Sequence, residues 1–382
     1  MKKSVKFLGL SIFSAVVLFI TSCSNDDNNG PKSSFVLDSE NLKGDINDGE
    51  VVLEANETYY LTGVLQVNEN AILTIEEGAE IIATSNDGEI RYIAVAQGGK
   101  IFVEGTASNP VVMTCEDQLP GKWGGLVICG RAPINKATTA QAEVSDLTYG
   151  GTISNDNSGS IRYLRLEYTG YNYNPDKEFN GVSFFGVGSG TTVEYVQSYN
   201  GSDDAFEWFG GTLNAKYLVS INDDQTIPGD DIFDWTEGWT GSLEFAYGKR
   251  TNNGNRGIEA DNNSSDQAAT PVSNPTIKNI TLIGNGAGGE NHGIKLRVGT
   301  KANFDNVVLS NWGTGFDVQA APDLSAGFVG TSLIATNVRF DNVTNNTNAT
   351  AEGIYNTEST TATGAGNFTS KPSWAQGWTV GF

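Results

Sequence analysis

Acidic side chains dominate the residues whose types and spacing can do chemistry. Asp203-Asp204, Asp223-Asp224 and Asp230-Asp231 form three pairs in one short stretch, and Glu207, Asp234, Glu259 and Asp261 follow at related positions. Oxygen ligands of this kind suit Ca²⁺, a hard cation. A calcium site built from Asp203, Asp204, Asp223, Asp224, Asp230 and Asp231 is therefore one expectation. The other is that they are turn aspartates, which favour turns by bonding nearby backbone. In an alternating strand, Phe206 and Trp208 face one side and Glu207 the other, and Phe233-Asp234-Trp235 repeats the arrangement. Glu207, Asp234 and Glu259 are then expected to stack outward about 5 Å apart. Like charges so close repel unless a cation or protons intervene.

A second set is aromatic. Tyr168, Tyr171 and Tyr173 lie in a run, Glu167 to Pro175, that reads as a loop leaving the body of the fold. Exposed Tyr and Trp stack on sugar faces, so these tyrosines, with Trp239 and Trp312, are a candidate glycan surface; the alternative is that the loop packs down. Trp208 and Trp235 read as core. Cys115 and Cys129 sit on neighbouring predicted strands, as either a disulfide or two buried thiols.

The elements that must position these residues are short and repeated. A motif of Gly, apolar, polar, apolar recurs with anchors at Val182, Phe206, Phe233, Ile258, Ile294, Phe316 and Ile354. A second motif precedes each, with Tyr163, Tyr195, Tyr217, Phe245, Asn279, Asn306 and Asn337 at the same place in it. Both alternate with period two, and no long helical stripe occurs past residue 30. This predicts an all-β, right-handed parallel β-helix of about ten coils. The aromatic residues would stack in one column, and the three asparagines would continue it as an amide ladder. The runs 73–78, 99–112 and 123–128 read as three further coils. Residues 41–382 form one domain, with 41–60 and 362–382 as end caps.

Several runs, among them "GGKIFVEGTASNPVVMT", "WGGLVICGRAPIN", "DDAFEWFGGTLNAKYLV" and "DDIFDWTEGWTG", resemble a family of bacterial secreted proteins and surface lipoproteins of Bacteroidota type. The likeness covers about residues 50–345. It implies a pectin-lyase-like parallel β-helix and a cell-envelope location, with no settled activity. Polygalacturonase-type β-helix hydrolases use several Asp, a His and a downstream basic pair. Asp224, Asp231, His292 and Arg297 stand in a similar order here, but no Gly-His-Gly occurs and Lys295-Leu296-Arg297 reverses the basic pair. A pectate-lyase-like reading would use calcium with Arg256 or Arg297 as base. For His292 the other reading is a polar turn residue.

The N-terminus reads as an address. Lys2, Lys3 and Lys6 precede an apolar stretch, Phe7 to Ile20, too short to span a membrane. Ile20-Thr21-Ser22-Cys23 resembles a lipobox, which implies a signal peptide at 1–22 and lipidation of Cys23. Ser24-Asn25-Asp26-Asp27 resembles the acidic tetrad of surface-exported lipoproteins. Residues 23–40 then form a lipidated, flexible tether. Removal of 1–22 takes three lysines and no acid, so the net charge deepens from -22 to -25. Such acidity opposes nucleic-acid binding. The single His excludes a multi-histidine metal site, and no phosphate loop for a nucleotide is present. The 46 Gly and 10 Pro stay well below the proportion of a disordered chain, roughly 25–30%. The expected function is a binding or interaction module on the outer membrane, for extracellular glycan or an outer-membrane transporter. The alternative is a polysaccharide-degrading enzyme.

Overall fold

The structure, a computed structural model, describes residues 33–85, 88–175, 177–286 and 290–382. The expected signal peptide, Cys23 and the expected tether up to residue 32 lie outside them. Within the described residues no helix is long and apolar enough to cross a membrane.

The chain forms a right-handed parallel β-helix. One sheet of 23 strands is wound on itself, so that each strand pairs with the strand one coil earlier and one coil later. Ten coils are complete, with Leu42–Ile46 as a partial first rung. Two stacks matter for function. The first holds long bent strands: Gly159–Glu167, Thr192–Tyr199, Asn214–Asn222, Ser242–Arg250, Thr276–Ile283, Ala302–Ser310 and Leu333–Asp341. The second holds Leu126–Cys129, Val182–Phe185, Phe206–Phe209, Phe233–Thr236, Ile258–Ala260, His292–Leu296 and Thr314–Val318. Inward residues of the coil strands form one core, filled in its middle by Phe184, Phe206, Trp208, Phe233 and Trp235.

The bend in the first stack explains the repeated third position of the second motif. Tyr163, Tyr195, Tyr217, Phe245, Asn279, Asn306 and Asn337 all have φ between 51° and 60°. A left-handed corner suits Asn and strains an aromatic residue. Stacking offsets that strain: Tyr195 lies 4.4 Å from both Tyr163 and Tyr217, with rings within 9° of parallel. The amide ladder forms at Asn306, which donates to Asn279 Oδ1 at 2.8 Å. It ends there, because Asn337 donates to Asp305 instead.

Several expectations are corrected. Lys100–Glu104, Val111–Cys115 and Leu126–Cys129 are three sides of one coil, because each pairs with a strand of the previous coil. The last anchor is displaced: Asn345–Thr347 pairs with Thr314–Val318, and Ile354 is a buried part of the cap. Residues 362–382 are not an end cap. They run back along the outside of the bent strands, from Asn306, which accepts from Thr363 N, to Gln197, which bonds Val380 twice. Trp378 meets Tyr163 and Tyr195 edge-on, and Trp374 covers Tyr217. Within the stretch expected as tether, Ser34 is fastened to Asp48 and Phe35 packs on the core. The disulfide is absent: Cys115 and Cys129 are free, buried thiols. Cys115 faces the inner core, whereas Cys129 faces an outer apolar cluster with Tyr149 and Phe185.

Candidate functional site

The outer face of the second stack carries a continuous column. Register places Ser183, Glu207, Asp234, Glu259, Lys295 and Asp317 on successive coils. The stacking expected of Glu207, Asp234 and Glu259 is therefore present, and alternation is the cause, since their neighbours Phe206, Trp208, Phe233 and Trp235 fill the core.

A second column lies at the corner that feeds these strands. Asn180, Asp204, Asp231, Arg256 and His292 each stand two residues before an anchor. Asp204 Oδ1 accepts from Asp231 N at 2.8 Å, and Asp231 Oδ1 accepts from Arg256 N at 2.6 Å. Each corner aspartate thus ties down the next corner's backbone with one oxygen. The two columns converge: Asp203, Asp204 and Asp230; Asp204, Glu207 and Asp234; and Asp231, Asp234 and Glu259 each bring carboxylate oxygens within 4.8 Å of one another.

Countercharge along the row is uneven. At one end Arg256 pairs with Asp231 at 3.2 Å and Glu259 at 2.6 Å, and also with Glu290. Arg297 pairs with Glu259 and with Asp261 at 2.8 Å, and Lys295 with Asp317 at 2.6 Å. At the other end, no ion pair among the described residues reaches Asp203, Asp204, Glu207, Asp230 or Asp234. Burial, reinforced by neighbouring carboxylates, raises Asp203, Asp204, Glu207 and Asp234 well above the usual carboxylate range. Burial also lifts Asp231 to about 6 and Glu259 to about 8, against the pull of their arginines.

Two excursions cover part of this face. One carries the hairpin Ala140–Gln141 with Thr148–Tyr149, and the other the hairpin Asn172–Asn174 with Lys177–Glu178. They pack through Tyr149, Phe179, Phe185 and Phe209. Beside them a cleft of about 500 Å³ is lined by Glu143, Lys177, Glu178, Asp203, Asp204 and Asp230, with Asn255 at its edge.

The residues expected from sequence divide clearly. Asp203, Asp204, Asp230 and Asp231 come together. Asp223 and Asp224 do not join them: Asp223 accepts from Asn200, and Asp224 accepts from Thr226 and Ile227 in its own turn. The Thr226 hydroxyl holds Asp224 below its ordinary value. The set Asp224, Asp231, His292 and Arg297 is not assembled. Asp231 and Arg297 both border Glu259, while His292 lies 3.7 Å from Asp317. Trp239 and Trp312 are 0% and 1% exposed, so neither offers a sugar platform. Trp239 stacks on Trp208, and Trp312 bonds Leu282 O. Tyr168, Tyr171 and Tyr173 are half-buried against the rod. Glu143, Glu178 and Asn180 were not expected. Asn180 was legible, since it keeps the offset of Asp204 and Asp231; Glu143 and Glu178 sit on excursions outside the repeat.

The fold and site define a parallel β-helix protein with a half-covered acidic row on one outer face. The family described as pectate-lyase-like β-helix domain matches residues 44–379. The chain belongs to this family. No curated protein and no solved structure matches the chain.

Proposed function

We propose that the protein is a lipoprotein exposed on the outer membrane, whose β-helix binds extracellular glycan with the help of calcium. The observation that carries this reading is the cleft floored by Asp203, Asp204 and Asp230, where three carboxylates converge and no basic side chain among the described residues forms an ion pair with them. A hard cation with carboxylate ligands keeps positions for water or sugar hydroxyls. Lys177, Asn255 and Ser202 border the cleft and can bond further hydroxyls. Tyr171 and Tyr173 pack against the outer apolar cluster on the excursion whose Lys177 and Glu178 line this cleft.

The test is glycan-array and calorimetric binding by the full chain, with calcium and then with EDTA. Binding that disappears in EDTA and in Asp203→Asn/Asp230→Asn supports the reading. Glycan binding indifferent to both removes the cation from it. No glycan binding at all, with capture of an outer-membrane transporter, moves the function to that partner.

The enzyme reading has one specific observation in its favour. Glu259, raised to about 8, keeps its proton at neutral pH beside Arg256 and Arg297, while Asp231, at about 6, has largely lost its own, which pairs an acid with a base. Release of reducing ends or unsaturated sugars from a polysaccharide panel would establish it.

A further inference from the structure

The coils present three faces, and two of them are covered. The hairpin excursions pack on the face that carries the acidic row. The C-terminal strap packs on the second halves of the bent strands. The third face is built from Lys100–Glu104 and the first halves of the bent strands, ahead of their left-handed corner. It stays open: Arg162 and Lys216 keep 48% and 44% of their side chains exposed, and Glu104 and Lys278 are exposed. Register puts two outward columns on it. One is neutral and polar, running from Ser160 through Thr192 and Ser242 to Asn303. The other lies two residues further along each strand. It stacks Glu104, Arg162, Glu194, Lys216, Glu244 and Lys278 on six successive coils, and the sign of the charge changes at every step. Within the chain Arg162 pairs with Glu194 at 3.3 Å, and Lys216 with Glu244 at 3.2 Å. Glu104 and Lys278, the two ends of the six, have no ion pair among the described residues.

We propose that this open face is a homodimer interface, on which a second copy of the chain docks antiparallel. An alternating row of even length is its own complement when reversed. A two-fold axis parallel to the strands, passing between Glu194 and Lys216, turns one copy face to face with the other. It sets Glu104 against Lys278 of the second copy, Arg162 against Glu244, and Glu194 against Lys216, each contact occurring twice. The two residues that a single chain leaves unpaired are thus the two that the axis joins. The neutral column meets itself and adds no charge. Net charge selects the same face. At -22 per chain, two copies repel on most approaches. The six residues of the row, three of each sign, sum to zero. Six coils at about 4.8 Å, with strand segments of about five residues at about 3.3 Å, give about 500 Å² on each copy. The total of about 1,000 Å² is the lower limit for a specific interface, so the dimer is weak. No residue of the row lines the acidic cleft, so the dimer leaves both clefts open and stands or falls apart from glycan binding.

Sedimentation velocity reads the association, on the full chain with Cys23→Ala to remove any lipid anchor. The parent is expected to dimerise with a dissociation constant on the order of 10 μM. Two charge variants test the register. Lys216→Glu with Lys278→Glu sets acid against acid, and Glu104→Lys with Glu194→Lys sets base against base. Each alone should associate at least about tenfold more weakly than the parent. Mixed in equal amounts they should form a heterodimer, because every facing pair is then complementary. Crosslinking gives a second readout that leaves most of the row unchanged. Glu104→Cys and Lys278→Cys, in separately tagged chains, should join by a disulfide under mild oxidation when mixed, and neither should join to itself. A parent chain that sediments as a monomer at about 100 μM overturns the proposal, and glycan bound on this face would then explain its openness. A dimer that survives both charge variants also overturns it. So does a mixture that fails to associate although each variant keeps the parent's melting temperature. If the charge variants do not fold, the crosslink decides: Glu104→Cys joined to itself, or not joined to Lys278→Cys, overturns the antiparallel register.

Discussion

Asp204 and Asp231 each serve two purposes with two oxygens. One oxygen accepts a backbone N–H from the next corner, the ordinary task of a turn aspartate. Each residue also belongs to a cluster of acids, and the second oxygen of Asp231 pairs with Arg256. The calcium and turn readings of these residues are thus compatible, whereas Asp223 and Asp224 belong to the turn alone. The row has a consequence for pH. The ordinary values of Asp231 and Glu259 are 3.8 and 4.5, and the fold raises them to about 6 and about 8. Both groups hold their protons more tightly folded than unfolded. The stability they contribute is full below about pH 4 and is lost as the pH climbs through 6 and then 8. In EDTA the melting temperature is expected to fall between about pH 5 and about pH 8, opposite to ordinary acid denaturation. Calcium should flatten the slope. A melting temperature that rises across that window in EDTA would show that the arginines outweigh burial.

The bent strands and the C-terminal strap form one structural unit. Strained aromatic corners persist because each ring is stacked on its neighbours and Trp378 covers two of them. Trp378 is fully buried, so Trp378→Ala is expected to cost about 3–5 kcal/mol. It should also open residues 362–382 to protease, while the central coils stay protected. Equal digestion of wild type and variant would refute the strap's role. The corner column was legible in sequence because one position recurred seven times with large or amide side chains. The strap was not legible, since Trp374 and Trp378 read equally well as a lid for the end of the rod. Only the parallel stacking of Tyr163, Tyr195 and Tyr217 creates the flank they cover.

The described residues form a β-helix of ten coils, about 45–50 Å long at about 4.8 Å per coil, and the sequence ahead of them reads as a lipid address. In the proposed arrangement Cys23 carries the anchor, and the charge of -25 keeps the rod soluble outside an anionic surface. Cys23→Ala should shift the protein from the membrane fraction to the soluble one without changing its melting temperature. Retention in membranes would point to a different attachment.

By itself the sequence determined the period, the strand alternation, the corner column and the outward stacking of Glu207, Asp234 and Glu259. These are properties of a repeat, in which each coil repeats the local rules of the last, so spacing in sequence becomes stacking in space. Tertiary structure alone decided which acids meet. Asp203-Asp204, Asp223-Asp224 and Asp230-Asp231 look alike as dipeptides, yet in the middle pair Asp223 bonds Asn200 of the neighbouring coil and Asp224 its own turn, while the outer pairs face one row. It also decided that Trp239 is core, that Cys115 and Cys129 face different clusters, and that Glu143, Glu178 and Asn180 border the site. The physical reason is that excursions break the repeat. Once the chain leaves the coil, its return point depends on packing among distant residues, which no local spacing records.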